Sequence, residues 1–131
     1  MDQPRFFTLD EANALLPQLS EWLKEIQDCH GKIIGVVHSQ DDLSKGNGNL
    51  LKSVPTLDSD LKEVGTNLDR IRILVDQIQA TGAEIKDLKQ GLIDFRHWRG
   101  GREVYLCWLF GEPEIRWWHE LDTGLTGRQP L

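Results

Sequence analysis

The stretch that decides the fold is Gly91-Leu92-Ile93-Asp94-Phe95-Arg96-His97-Trp98, then Arg99-Gly100-Gly101, then Arg102-Glu103-Val104-Tyr105-Leu106-Cys107-Trp108-Leu109-Phe110. Two runs rich in aromatic and β-branched residues flank a Gly-Gly pair. Such a pair suits a two-residue hairpin turn, because glycine reaches positive φ without steric penalty. With that turn, Val104 stands opposite His97. A third run, Glu114 to Leu121, follows Gly111-Glu112. A second two-residue turn there sets Val104 opposite His119 as well.

This register sorts the side chains. One face carries Ile93, Phe95, His97, Val104, Leu106, Trp108, Phe110, Ile115, Trp117, His119 and Leu121. The other carries Leu92, Asp94, Arg96, Trp98, Glu103, Tyr105, Cys107, Glu114, Arg116, Trp118 and Glu120. A one-residue slip would invert one strand and mix the two sets. The first face is expected to pack on helices, with two histidines flanking Val104. The second is expected to show the cross-strand rows Asp94–Cys107–Arg116 and Arg96–Tyr105–Trp118.

The residues before Gly82 read as helix. Thr8-Leu9-Asp10-Glu11 is a capping box. Apolar residues recur at Leu9, Ala12, Leu16, Leu19, Leu23, Ile26, Ile33 and Val37, with His30 filling the one gap as a register-setting polar residue. Pro17 sits inside this heptad seam without breaking its phase, which predicts one bent helix. Ser39 to Pro55 reads as the connection, with Lys45-Gly46-Asn47-Gly48-Asn49 as its tip and His38 exposed beside it. Thr56 or Asp58 caps a second helix whose seam is Leu57, Leu61, Val64, Leu68, Ile71, Val75 and Ile78, and Gly82 stops it. The expected fold is therefore α+β: a long antiparallel two-helix hairpin, about 8–82, packed on a three-stranded antiparallel β-meander, about 91–131, in a single domain.

Composition supports two structural halves. All seven lysines lie at or before Lys89, and four of the five tryptophans lie at or after Trp98. Over 131 residues, hydrophobic residues make up 39%, which favours an extended shape over a sphere. The net charge of −6 argues against wholesale binding to nucleic acid or to an anionic membrane. Arginine and aromatic residues on the sheet suit a single-strand platform, but Glu103, Glu114 and Glu120 cancel the field. The first ten residues lack the basic start and apolar run of a leader, and no window nears a membrane span of roughly 18 apolar residues. The expected compartment is the cytoplasm, with Cys29 and Cys107 as reduced, buried thiols.

Three segments resemble an uncharacterised bacterial family, domain of unknown function family 2203. They are Phe7-Thr8-Leu9-Asp10-Glu11-Ala12-Asn13-Ala14-Leu15-Leu16-Pro17; Lys86-Asp87-Leu88 with Gly91-Leu92-Ile93-Asp94-Phe95; and the tail. The tail contributes Gly101 to Trp108, Gly111-Glu112, Trp118-His119 and Gly127-Arg128-Gln129-Pro130-Leu131. A proline usually follows the Asp-Phe pair in that family, and Arg96 stands there instead. The resemblance implies no activity.

His119 is the first candidate site residue. It can ligate a metal or move a proton, or it can be a core histidine bonded to a carboxylate. His97 and His119 stand two strands apart, with Cα atoms roughly 10 Å apart, so one metal joins them only if a helix carboxylate reaches in. No H-x-x-x-H spacing occurs. Glu112 reads as a turn residue before Pro113; the resemblance, which places Glu112 and His119 together in the family tail, implies instead that it points back toward His119 or Arg128. Asp94 with Arg116 is either a structural ion pair or an acid with its activator. The glycine-rich Asp122 to Arg128 segment either wraps a small anion or folds over the sheet edge, with Arg128 bonded to backbone or carboxylate. No serine or cysteine has a base neighbour in sequence.

Two functions follow. The first is a non-enzymatic scaffold that self-associates as a dimer or takes a partner helix through its seams, without nucleic acid or membrane. The second is a metal or small-ligand site at the sheet–helix seam, regulatory or catalytic, built on His119 with Glu112 and with Arg128 or Glu11.

Overall fold

The structure is a computed structural model that describes residues 3–45 and 50–131, with side chains described outside 38–57. The expected tip at 46–49, the exposure of His38 and the seam position of Leu57 lie outside what is described. The chain divides into two compact units, Met1–Leu23 with Asp76–Leu131, and Lys24–Val75.

Helix α1 runs from Leu9 to Lys45 with Pro17 inside it, and helix α2 from Leu50 to Ala80. The capping box forms: Thr8 N–H donates to Glu11 Oε1 (2.8 Å), and Glu11 N–H donates to Thr8 Oγ1 (3.1 Å). Gly82 ends α2 at φ 95°, donating its N–H to Gln79 O. The second helix begins earlier than expected, so neither Thr56 nor Asp58 caps it, and much of the anticipated connection is helical.

In the Lys24–Val75 unit, Ile26, Cys29, Asn67 and Leu74 are buried. The Arg70 guanidinium pairs with Glu25. Glu25 precedes the end of α1 by as many residues as Arg70 follows the start of α2, the symmetry of an antiparallel hairpin. Three expectations fail here, the first being Val37, expected on the α1 seam but exposed. His30 is exposed and the neighbouring thiol of Cys29 takes the inward place, since the imidazole keeps its hydration outside. On α2, Leu61 and Leu68 are exposed and Asn67 points inward, its amide satisfied by Glu63 O at 2.9 Å.

In the other unit the sheet has five strands, not three. They are β1 (Glu84–Asp87), β2 (Leu92–Arg99), β3 (Arg102–Leu109), β4 (Trp117–His119) and β5 (Gln129–Pro130), all antiparallel in the order β1-β2-β3-β4-β5. The extra strands are the two edges. β1 is short and charged, and β5 contains a proline, which only an edge tolerates. Neither has the aromatic pattern that marks the inner strands.

The β2–β3 hairpin is as expected: His97 opposes Val104, and Gly100 and Gly101 both have positive φ. Gly91 must be glycine, because at φ 74° a Cβ would sit 2.5 Å from Phe110 Cβ. The β3–β4 register differs by one residue. Tyr105, not Val104, opposes His119, and Cys107 opposes Trp117. The cause is the connection. Glu112 Oε1 accepts the Leu109 N–H (2.7 Å), Glu112 O accepts the Trp108 indole N–H (2.9 Å), and Ile115 N–H is drawn to Asn13 Oδ1 on α1 (2.8 Å). Residues 110–116 thus lie outside the β3–β4 ladder, and β4 enters it with its faces exchanged.

The core face now joins Ile93, Phe95, Val104, Leu106, Trp108 and Trp118, with Phe7 packed edge-on against Phe95 at 5.2 Å. Ala12, Leu16, Leu19 and Ile78 of the two helices are buried in the same unit. Each large apolar side chain buried there stabilises the fold by about 1.5–3 kcal/mol. The centre of β2 and β3 is buried on both faces, since Leu92 to Phe95 and Val104 to Trp108 are all covered.

Candidate functional site

The exchanged faces of β4 decide the site. His119 does not face the core with His97. It lies on the opposite face, with Asp94, Arg96, Tyr105 and Cys107. Its Nε2 is 2.9 Å from Asp94 Oδ2, and both residues are only 1% exposed. Its Nδ1 is 2.6 Å from Glu120 O. A carbonyl only accepts, so Nδ1 carries a hydrogen. One further proton must then sit between Nε2 and Oδ2, on the imidazole or on the carboxyl. Asp94 Oδ1 has no hydrogen-bond partner among the described residues. Burial raises the Asp94 pKa, against the opposing pull of His119, Cys107 and Lys86.

Cys107 completes the cluster. It opposes Asp94 in the ladder and is fully buried. Burial pushes its thiol up to about 11, only partly offset by Arg128, while the Asp94 charge adds to the rise. Arg128 Nε lies 3.3 Å from Cys107 Sγ, and its guanidinium forms a two-pronged ion pair with Glu112. Trp117 lies under the same guanidinium at 5.4 Å. The tail is held in place by β5 and by Leu131 N–H donating to Arg116 O.

Around Asp94 and His119 runs a band of charge. Glu84 accepts from Tyr105 Oη (2.9 Å), Lys86 Nζ (3.0 Å) and Arg96 Nε (2.8 Å), and Arg96 also pairs with Glu103. Burial alone would raise the Glu84 pKa, but the bonds from Lys86 and Tyr105 and the charges of Lys86 and Arg96 outweigh it and lower it. A cavity of about 310 Å³ opens here, lined by Lys86, Leu92, Asp94, Tyr105, His119 and Leu121–Gly124.

Donor atoms of Asp94, Cys107 and His119 all lie within 4.8 Å of one another. That set of one oxygen, one sulfur and one nitrogen suits a borderline-soft divalent ion such as zinc. Ligands about 2.0–2.3 Å from such an ion stand roughly 3.3–3.7 Å apart, so small rotations suffice. The Nδ1–H bond to a backbone carbonyl is the outer contact that metal-ligating histidines use to orient the ring.

Other candidates from the sequence lie elsewhere. Arg116 is exposed and pairs with Glu114, not Asp94, because Trp117 takes its place opposite Cys107. Glu11 is spent in the capping box. His97 bonds Phe7 O at 2.7 Å on the core face, so His97 and His119 share no ion. Glu112 and Arg128 do meet, beside Cys107. Sequence reasoning placed Cys107 opposite Asp94 but read it as an inert thiol, and it missed Glu84 and Lys86. The sequence carried no signal for these two, because β1, which sets Glu84 opposite Asp94, has no apolar pattern to mark it as a strand.

Among the described residues, no helix is long and apolar enough to cross a membrane. No curated protein and no solved structure matches the chain. A family model described as "Uncharacterized conserved protein (DUF2203)" matches residues 5–131, nearly the whole chain, and the protein with its two helices and five-stranded sheet belongs to that family.

Proposed function

We propose that the protein binds one divalent transition-metal ion, of the zinc class, through Asp94, Cys107 and His119. The observation that carries this is the convergence of three different donors within 4.8 Å at a buried point where Asp94 Oδ1 has no hydrogen-bond partner among the described residues. Binding displaces the proton held between Asp94 and His119 and ionises the thiol, as a coordinating metal does. With three protein ligands, the fourth position is open, the arrangement of catalytic rather than structural zinc. The free, buried thiols of Cys29 and Cys107 support a reducing compartment such as the cytoplasm. The test is elemental analysis of protein purified without chelator, followed by Co(II) titration. One equivalent of metal and a sulfur-to-cobalt charge-transfer band, both lost in Cys107→Ala, are expected. Full-length folded protein that takes up no Co(II) would sink the reading.

A second reading concerns the helical unit. Leu61, Leu68 and Ile73 of α2, with Ile34 and Val37 of α1, are all at least 40% exposed. Leu61 and Leu68 stand one heptad apart, the spacing of a seam. This supports self-association through that unit. Sedimentation should show a dimer that Leu61→Glu with Leu68→Glu dissociates, and a monomer at high concentration would remove the proposal.

A further inference from the structure

Arg128 divides its donors between two partners. Nη1 and Nη2 carry the ion pair with Glu112, and Nη2 also reaches Cys107 O at 3.4 Å. Nε has a single hydrogen, aimed at Cys107 Sγ 3.3 Å away. Docking the tail on Glu112 uses the outer nitrogens alone, so the bond to sulfur is a separate contact. The backbone before Arg128 is built for this approach. Leu125–Gly127 is a single 3-10 turn. A Cβ at Gly127 would sit 2.4 Å from Thr123 Cβ, so the turn closes on Thr123 as only glycine permits. Upstream of the turn, Leu121–Gly124 lines the cavity onto which Asp94 and His119 open. One segment thus runs from the open side of the cluster to its sulfur.

Resting on the metal reading above, we infer that Arg128 is a positioning residue for the metal-bound sulfur of Cys107, and that the C-terminal segment from Leu121 to Leu131 is a clasp whose closure and metal binding favour each other. A thiol sulfur is a weak acceptor, whereas a sulfur bound to a metal carries charge and accepts a charge-assisted bond. The bond from Nε–H therefore strengthens when the ion binds. Hydrogen bonds around a cysteine sulfur tune the metal and orient its ligand. The coupling is reciprocal: whatever factor the closed clasp adds to metal affinity, the metal adds to closure of the clasp. Metal occupancy then sets how firmly the Leu121–Gly124 wall of the cavity is held.

The experiment compares the full-length wild type with Arg128→Met and Arg128→Lys, each with and without Co(II). Arg128→Met should weaken Co(II) binding by about tenfold or more, the usual effect of removing a partner that orients a metal ligand. It should also move the sulfur-to-cobalt charge-transfer band to longer wavelength, because a sulfur without its hydrogen bond gives up charge to the metal more readily. Arg128→Lys keeps the charge opposite Glu112 but has one nitrogen where arginine has three. It should show the same band shift with the tail still docked, and it guards against a folding defect in the first variant. In wild type, Co(II) should slow exchange of the Leu131 amide, which is bonded to Arg116 O, by about the same tenfold factor. In both variants that slowing should be lost. A band and an affinity unchanged in Arg128→Lys overturn the clasp and leave the metal reading standing, as does Leu131 exchange in wild type that is indifferent to bound Co(II). Wild type that takes up no Co(II) overturns the metal reading first, and the clasp with it.

Discussion

His119 on β4 reaches over β3 to bond Asp94 on β2, Nε2 to Oδ2 at 2.9 Å, with both side chains sealed from water. The Nδ1 hydrogen is committed to Glu120 O, so the pair holds a single proton between two buried groups. Breaking such a pair from one side strands the other group. His119→Ala should destabilise the metal-free fold by about 3–5 kcal/mol in chemical denaturation. Asp94→Asn keeps shape and can donate to a neutral imidazole, so it should lose less, about 1–2 kcal/mol. Equal losses in the two variants would refute the shared proton.

Cys107 gives a pH signature. Its folded pKa is raised, from about 9 to about 11, so the folded state keeps a proton that the unfolded state releases. The contribution to stability is whole below pH 9 and is lost as pH rises from 9 toward 11. At pH 10.5 the loss is about 2 kcal/mol relative to Cys107→Ala, read by urea denaturation of chelator-treated protein. Stabilisation across this window would contradict the sign. Asp94 behaves likewise on the acid side. Its raised pKa means that stability falls as pH climbs through the range above its usual value.

Glu112 joins the tail to the sheet. It accepts from Leu109 N–H and from the half-buried Arg128 guanidinium beside Cys107. Glu112→Gln leaves that cation with no carboxylate partner, and a loss of about 2 kcal/mol is expected. Amide hydrogen exchange of Gln129 and Leu131 should accelerate as β5 loosens. Unchanged exchange would show that the tail is held by its backbone bonds alone.

How legible this site was depends on one turn. The β2–β3 hairpin could be read because Gly100-Gly101 leaves a single register, and with it came the Asp94–Cys107 pairing. Gly111-Glu112 looks equally like a turn, but its geometry depends on contacts distant in sequence, chiefly Ile115 with Asn13. Hydrophobic alternation could not arbitrate, because Trp117-Trp118-His119 offers a bulky ring to either face. The slip moved His119 from the expected core face to Asp94, and so turned two separate candidates into one cluster. The edge strands were hidden for a different reason: β1 and β5 are held by ladder bonds and ion pairs, not by an apolar pattern.

The same reasoning makes Asn13 a determinant of a site it does not touch. Its Oδ1 satisfies the Ile115 N–H, and Ile115 is 3% exposed, so water cannot readily replace the bond. The length of chain between Cys107 and Trp117 is then fixed by where Ile115 docks on α1. Asn13→Ala should leave a buried donor unsatisfied and destabilise the fold by about 1–3 kcal/mol. It should also weaken the anchor that holds β4 in register, with His119 over Asp94. In nitrogen-15 spectra of metal-free protein, the His119 ring signals should broaden or shift, and Co(II) affinity should fall in parallel. Asn13→Asp, which keeps an accepting oxygen, should preserve both. If Asn13→Ala loses stability but leaves the His119 ring and Co(II) binding untouched, the register is held instead by the β4–β5 pairing and the bond from Leu131 N–H to Arg116 O.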